Sequence, residues 1–290
     1  GGGVRGGGSP PISKHILDRW IVARLHEMIR EMTEAMDKYD VVRAGRLIPA
    51  FVDDLSTWYL RRSRERFKGK KSEQKAALHT THYILHTLAQ LLAPFMPFLA
   101  EHIWQSMSTS YILHPTSSVH LSDWPKLQKR RLDAALLVQM RLARKVVELA
   151  HAARAEAKIK VRQPLSELRI KNYELRIGEE LLKVIAEEVN VKKVTIPDGH
   201  PEPPHQSDQD RTVRGRLREG SLADASGIDK LRDSSPATPG QNDKPAGQWV
   251  TKTDGNLTVL LNTELTDELK KEGLLRELIR QINDLRKKAG

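Results

Sequence analysis

Apolar residues recur at helical spacing through most of the first 157 positions of the chain. Steps of three and four place such residues on one face of a helix, which predicts amphipathic helices with a buried side. The same spacing extends over residues 41–66, 72–107 and 128–157. Consecutive amphipathic helices favour an up-and-down helical bundle. The stripe of the first helix consists of Leu17, Ile21, Leu25, Met28, Met32 and Met36.

Prolines mark the places where this pattern is interrupted. Pro49 lies inside the second predicted helix and is expected to kink or split it, because proline lacks the N–H that a helix interior needs. Pro94 and Pro97 predict a break in the third helix, which resumes at Leu99. Residues 111–125 are predicted to form a loop in which Trp124 docks back onto the bundle.

From Lys158 onward the hydrophobic period changes from helical to alternating. Lys158, Lys160 and Arg162 alternate with two apolar residues, Ile159 and Val161. This alternation predicts a strand with three cations on one face and the apolar side chains packed beneath. Further elements are predicted in the order strand at 168–170, helix at 179–190, strand at 191–196 and strand at 257–261.

A last helix is predicted after Thr266, whose side chain can cap the first turn. With the preceding strands it is predicted to form a small α+β domain. Because the helical bundle is much larger than this domain, the chain as a whole is predicted to be mainly α. The residues expected to line the buried side of this helix are Leu275, Leu278, Ile279, Ile282 and Leu285.

Residues 198–248 differ in composition from their surroundings, because Pro, Gly, Ser, Asp and Gln dominate and aromatic residues are absent. Such a segment cannot bury enough apolar surface to offset its chain entropy, so it is predicted to be a disordered insertion. The predicted organisation is a flexible Gly-rich connector at 1–11, a helical bundle at 12–125, a long helix with the first part of the α+β domain at 126–197, the insertion at 198–248, and the remainder of the α+β domain at 249–290.

The charge balance points to an anionic partner. The 290 residues include 48 Lys and Arg against 37 Asp and Glu, for a net charge of +11. The predicted insertion holds seven of these basic and nine of these acidic residues, which leaves +13 for the rest of the chain. This surplus favours nucleic acid first and a membrane surface second. No apolar run approaches the roughly 18 residues of a membrane span. The absence of cysteine excludes disulfides, thiolate metal sites and cysteine nucleophiles.

The densest basic cluster lies at residues 58–71. It begins with Trp58 and Tyr59, which continue the apolar face of the second predicted helix and are assigned to the core. Seven cations follow, against the single acid Glu65. Cations stabilise a helix C-terminus, but that effect accounts for only two or three of them. The alternative to a nucleic-acid contact is a solvated helix end. The candidate contacts are Arg61, Arg62, Arg64, Arg66 and Lys68.

A second candidate row of phosphate contacts consists of the alternating cations Lys158, Lys160 and Arg162. Cations that neutralise phosphates release counterions and so contribute affinity without sequence preference. The alternative is an edge strand that carries charge as a protection against aggregation.

No catalytic constellation is visible in the sequence. His79, His82 and His86 could share one helical face. Three imidazoles on one helix converge poorly on a metal, however, and no matching ligand cluster occurs elsewhere. A nucleophile–base set and a phosphate-binding glycine loop are also absent, so neither a catalytic residue nor a metal site is predicted.

Leu-Asp-Arg-Trp-Ile at 17–21 is similar to the first helix of the anticodon-binding domain of class I aminoacyl-tRNA synthetases. Leu-Ala-Pro-Phe-Met-Pro-Phe-Leu-Ala-Glu at 92–101 resembles a signature shared by the isoleucine, valine and leucine enzymes. The segments that resemble the isoleucyl-tRNA synthetases in particular are residues 58–64, 119–125, 158–165 and 264–288.

This resemblance implies a helical-bundle anticodon-binding domain, followed by a junction domain of α+β type. It also implies isoleucine tRNA as the partner, in a monomeric cytoplasmic protein. In the family, ATP activates isoleucine and the product is transferred to tRNA. At least one arginine at 61–66 is then expected to read a base, because an unpaired anticodon offers exposed base edges and faces.

Three features of that family do not occur in this chain: the nucleotide-binding motifs His-x-Gly-His and Lys-Met-Ser-Lys-Ser, the editing domain, and a cysteine-bearing zinc module. The chain is therefore expected to hold no cofactor and to be inactive alone, with ATP and magnesium bound by the catalytic domain. The alternatives are a helical protein-interaction module, the equivalent part of a valyl-tRNA synthetase, and a stand-alone enzyme.

Overall fold

The computed structural model describes residues 13–108, 118–171, 177–197 and 249–288. The chain divides into two compact units, one up to Leu142 and the other from Ala143 onward. The first unit contains α1 Ile16–Asp37, α2 Val41–Asp53, a π-helical segment Asp54–Leu60, α3 Arg64–Lys68, α4 Lys71–Leu92, α5 Pro97–Ser108, short 3-10 turns at Val119–Leu121 and Lys129–Arg131, and the start of α6 Ala134–Glu156.

The core of the first unit is built on α1, and its predicted apolar stripe is confirmed. Burying a side chain of this size contributes about 1.5–3 kcal/mol relative to leaving it exposed. The helix begins after His15, whose Nδ1 accepts a hydrogen bond from the N–H of Leu17 at 3.2 Å. Met36, at the far end of the stripe, is half-buried. The buried members of the stripe are Leu17, Ile21, Leu25, Met28 and Met32.

The predicted break at Pro94 and Pro97 is confirmed, because α4 ends at Leu92 and α5 is a separate helix. The second helix begins at Pro97, two residues before the predicted start at Leu99. The helix predicted at 41–66 differs from expectation. It continues through Pro49, and the irregularity follows as the π-helical segment. There the N–H of Arg61 donates to the carbonyl of Ser56, five residues back. A turn of this width accommodates one extra residue and often lies at functional sites.

The predicted docking of Trp124 onto the bundle is confirmed. Its indole N–H donates to Thr33 Oγ1 on α1 at 2.9 Å. Nearby, the carboxylate of Glu101 on α5 accepts from Ser118 Oγ at 2.7 Å and from the N–H of Val119 at 3.0 Å. These contacts attach the segment before α6 to two different helices of the bundle.

The second unit is the small α+β part that was predicted. Its strands form one mixed sheet in the order β2-β1-β4-β3. The parallel pair β1 and β2 is joined by α7, as parallel strands require a crossover, whereas β4 pairs antiparallel with both β1 and β3. Its elements are the rest of α6, β1 Leu165–Lys171, α7 Glu179–Val189, β2 Val191–Thr195, β3 Trp249–Asp254, β4 Leu257–Asn262 and α8 Asp267–Lys288.

The strand predicted at 158–162 is wrong. These residues form a turn between α6 and β1, and Lys158 has a φ of 55°, which a strand does not allow. The first strand of the sheet begins later, at Leu165. The carbonyl groups of the turn are bonded to side chains of the same unit, so it has a defined conformation without strand pairing.

The predicted buried side of α8 is also wrong. The five apolar residues expected there have exposed fractions between 43% and 65%. The buried residues of α8 are instead Leu269 and Gly273, near the start of the helix. Thr266 does cap this helix as predicted, since its Oγ1 accepts from the N–H of Leu269 at 3.4 Å.

The connector predicted at 1–11 and the insertion predicted at 198–248 lie outside the described residues. Within the described ranges, no helix combines the length and apolar character needed to cross a membrane.

Candidate nucleic-acid interface

The basic cluster at 58–71 lies where the π-helical segment passes through a turn into α3 and then α4. The turn is centred on Ser63, which is buried and has a φ of −87° and a ψ of 0°. This backbone conformation lies between the helical and extended regions. The cations of the cluster therefore lie at the end of the π-helical segment, on α3 and at the start of α4. They do not lie on the single helix end that the sequence predicts.

Arg61, Arg64 and Lys68 are exposed cations of this cluster, and Arg62 is half-buried. Arg64 and Lys68 are four residues apart on α3, so their side chains share one helical face. The Nε of Arg61 donates to the carbonyl of Thr57 at 2.7 Å, which restricts the direction of its guanidinium. These predicted site residues thus lie on the surface, where a polyanion can reach them.

Arg66 faces into the bundle. Its two terminal nitrogens donate to both carboxylate oxygens of Asp18, at 2.8 and 2.6 Å. The Arg66 side chain is 11% exposed and that of Asp18 is 1% exposed. Burial acts to raise the pKa of Asp18, but hydrogen bonds from Arg66 and Ser13 outweigh it and lower the pKa below the ordinary 3.8. The sequence assigned Arg66 to nucleic acid, and the structure places its guanidinium in this ion pair.

Tyr59 belongs to the same network. Its hydroxyl donates to Asp18 Oδ1 at 2.9 Å, and Ser13 Oγ donates to Oδ2 at 2.6 Å. The carboxylate thus accepts four hydrogen bonds, counting the two from Arg66, which offsets the cost of burying its charge. Burial, followed by the charge of Asp18, raises the pKa of Tyr59. The core assignment of Tyr59 is confirmed, whereas Trp58 is only half-buried.

The second predicted row lies on the turn between α6 and β1. Lys158, Lys160 and Arg162 are all exposed. Val161, which was expected to pack beneath them, is 50% exposed. Arg162 NH1 lies 3.7 Å from the carboxylate of Glu277 on α8. The three cations therefore share one exposed turn and not one face of a strand.

Arg154 is a residue that the sequence reasoning missed. It is 1% exposed, although arginine is almost never fully buried without a partner. Burial lowers its pKa to about 10, so the side chain stays charged at neutral pH. A signal was present in the sequence: Val147, Ala150 and Arg154 follow one another at steps of three and four, which puts the arginine on the buried face of α6.

The three histidines of α4 do not form a metal site. His82 and His86 stack with their ring centroids 6.3 Å apart, and the ring of Trp104 lies 4.3 Å from that of His86. Burial, followed by a neighbouring histidine, lowers the pKa of both rings. Across the parts of the chain that the structure describes, no group of three or more His, Cys, Asp or Glu side chains could hold a metal ion.

Comparison with known proteins identifies the class of this helical bundle with an exposed basic surface. Residues 18–170, from α1 to β1, match the family model of the anticodon-binding domain of tRNA ligase. The chain belongs to this family.

Three of the individual relatives share one name. The isoleucine–tRNA ligase of Streptomyces coelicolor is 36% identical over 307 residues, which cover 97% of this chain and 29% of that protein. The isoleucine–tRNA ligases of Deinococcus radiodurans and Thermus thermophilus are 35% and 34% identical, and the matches cover 94% and 97% of this chain. The chain spans about three tenths of the length of these relatives, between 28% and 30%.

Proposed function

We propose that this chain is the tRNA-binding portion of an isoleucine–tRNA ligase, the enzyme that attaches isoleucine to its tRNA with ATP. The observation that carries this proposal is the match of residues 18–170 to the anticodon-binding domain. The exposed cations Arg61, Arg64 and Lys68 lie within that stretch. The identity of the relatives as isoleucine–tRNA ligases supports isoleucine tRNA as the ligand.

The geometry suits contact with an anticodon stem-loop. Lysine and arginine neutralise phosphates, and the released counterions contribute affinity for any tRNA. The planar fork of arginine also binds phosphate through two parallel hydrogen bonds and stacks on unpaired bases. The bond from Arg61 to Thr57 holds one such fork in a restricted direction before RNA arrives, which lowers the entropy cost of binding.

In this proposal the chemistry of aminoacylation belongs to other parts of the longer protein. The chain carries neither the His-x-Gly-His nor the Lys-Met-Ser-Lys-Ser motif. ATP and magnesium would then act outside this fragment, and the fragment alone would form no aminoacyl-adenylate. Pyrophosphate exchange above background, with isoleucine and ATP, would contradict this part of the proposal. The monomeric state and the cytoplasmic location stay predictions of the resemblance.

The test of binding is a titration of the chain with an isoleucine tRNA transcript and with a non-cognate tRNA, each at two salt concentrations. We expect saturable binding that weakens as salt rises, with higher affinity for the isoleucine tRNA. If neither tRNA binds at low salt, the proposal is wrong and the alternative of a protein-interaction module is favoured. If both bind equally, the chain contributes phosphate contacts without reading the anticodon.

A further inference from the structure

The turn between α6 and β1 is held from its inner side by the buried guanidinium of Arg154. Its NH1 donates to the carbonyls of Lys160 at 3.2 Å and Gln163 at 3.0 Å. Its Nε and NH2 donate to the carbonyls of Val189 and Asn190, both at 2.9 Å. One side chain therefore ties the turn to the end of α7. All four of these acceptors are neutral carbonyl groups.

The side chain of Asn190 also holds this turn through hydrogen bonds. Its side-chain amide donates to the carbonyls of Val161 at 2.9 Å and Arg162 at 3.0 Å. The residue ends α7 in the left-handed conformation, with a φ of 57°, which asparagine tolerates better than most residues. Arg276 on α8 donates in turn to Asn190 Oδ1. The amide is thus oriented from both ends.

Arg154 and Asn190 together donate hydrogen bonds to four consecutive carbonyl oxygens, those of residues 160–163. These oxygens carry the negative ends of the peptide dipoles. Their hydrogen bonds within the unit partly satisfy these acceptors, which reduces their competition with a phosphate for the neighbouring cations. Lys158, Lys160 and Arg162 remain exposed on the outer side of the turn. The acid beside them, Glu277, lies 3.7 Å from Arg162 NH1 and is bonded to Arg280 at 2.7 Å.

We propose that Arg154 and Asn190 are positioning residues that hold the turn at 158–162 as a binding loop for the phosphate backbone of RNA. This inference rests on the proposed function, since it requires that the chain binds tRNA. In this inference Lys158 and Lys160 bind RNA phosphates because the turn holds their backbone in place before RNA binds, and not only because they are positively charged. The alternative is that the hydrogen bonds of Arg154 and Asn190 serve only to connect α6 to the sheet.

Asn190→Gly is the principal test variant, because glycine adopts the left-handed conformation without strain and removes only the side-chain bonds. Arg154→Lys is the second variant, since it keeps a positive charge but loses the fork. Lys158→Ala/Lys160→Ala removes two cations of the loop. The matched control, Lys171→Ala/Lys183→Ala, removes two exposed cations elsewhere in the same unit. Circular dichroism and thermal melting check that each variant is folded.

The readout is the slope of log affinity against log salt for an isoleucine tRNA transcript. We expect the loop variant to reduce the magnitude of the slope by about two and the matched control to leave it unchanged. We expect Asn190→Gly to reduce it by about one in the parent chain and to have no further effect in the Lys158→Ala/Lys160→Ala background. A merely structural role would produce the same loss of affinity in both backgrounds.

The outcomes separate the two proposals. If the parent chain binds no tRNA, the proposed function fails and this inference fails with it. If the parent binds but the loop variant keeps the parental slope, only this inference is wrong. It is also overturned if Asn190→Gly leaves binding unchanged, or weakens it equally with and without the two lysines. If Arg154→Lys does not fold, the Asn190→Gly comparison decides alone.

Discussion

The guanidinium of Arg66 and the carboxylate of Asp18 form a two-pronged ion pair that joins α3 to α1, with N–O distances of 2.8 and 2.6 Å. The two residues are 48 positions apart in the chain. One arginine of the basic cluster therefore stabilises the bundle, while its neighbours Arg61 and Arg64 face solvent. The cluster combines a structural cation with exposed ones, and the two kinds should respond differently to substitution.

Arg66→Ala is expected to lower the free energy of unfolding by about 3–5 kcal/mol, because it leaves the buried charge of Asp18 without its cation. The matched control is Arg64→Ala, which removes an exposed arginine from the same helix and should change stability by no more than about 0.5 kcal/mol. Urea unfolding monitored by circular dichroism measures both. Equal losses in the two variants would show that the Arg66–Asp18 pair contributes little.

His26 is a buried ring that should make the stability of the chain depend on pH. Its Nδ1 accepts from the N–H of Gln128 at 3.3 Å, so its Nε2 carries the proton and donates to the hydroxyl of Tyr83 at 2.9 Å. Burial, followed by the charge of Arg131, lowers the pKa of His26 from 6.5 to about 4. The unfolded chain therefore binds a proton below pH 6.5 that the folded chain does not bind until pH 4.

Protons thus favour the unfolded state between these two values, and the contribution of neutral His26 is complete above pH 6.5. We expect the free energy of unfolding to fall by up to about 3 kcal/mol from this group as the pH decreases from 6.5 to 4. In His26→Gln, which cannot titrate, that part of the pH dependence should disappear. The measurement is urea unfolding of both proteins at several pH values. Parallel curves would contradict the prediction.

Single alanine substitutions at Arg61, Arg62, Arg64 and Lys68 test the exposed part of the basic cluster. A residue that binds phosphate should weaken all tRNAs alike and reduce the salt slope by about one. A residue that reads a base should weaken isoleucine tRNA most, by about 1–3 kcal/mol. We expect at least one arginine to be a base reader. Lys38→Ala, which removes an exposed cation beyond α1, is the control.

These variants are folded if their circular dichroism matches that of the parent, and only folded variants are titrated. Should all four bind both tRNAs like the parent, the cluster is a solvated surface that does not contact tRNA.

The exposed apolar face of α8 leads to a stability prediction that differs from the one the sequence suggests. Leu278→Ala and Ile282→Ala should each cost less than about 0.5 kcal/mol in this chain, because both side chains are already about half exposed. Leu269→Ala removes a buried side chain of the same helix and should cost about 2–5 kcal/mol. Thermal and urea unfolding measure the three variants. A large loss at Leu278 would mean that this face is covered.

Local rules account for the parts of the fold that the sequence predicted. Leu17, Ile21 and Leu25 lie at helical spacing and are buried, because residues three and four apart share one face of a helix whatever surrounds it. Pro97 starts α5 because proline is tolerated in the first turn of a helix and not in its interior. Thr266 caps α8 through its own backbone neighbours. The family resemblance rests on such local stretches.

Prediction failed where the outcome depends on contacts that hydrophobic periodicity does not encode. The alternation at 158–162 suits a strand, but bonds from the buried Arg154 and from Asn190, which lies 28 and 29 positions from its partners, hold a turn. The stripe of α8 correctly identifies residues that share a face, but periodicity does not show whether another element covers that face.

The sequence by itself therefore determined the helical bundle, the small α+β unit and the excess of positive charge, because each follows from residue type and short-range spacing. Only the tertiary structure decided which of these cations are exposed and can contact a nucleic acid. Arg66 and Arg64 are two positions apart and chemically identical, yet one is paired with Asp18 in the core and the other is exposed. The physical reason is that a buried carboxylate 48 residues away fixes the direction of one side chain, and no local pattern encodes that distance.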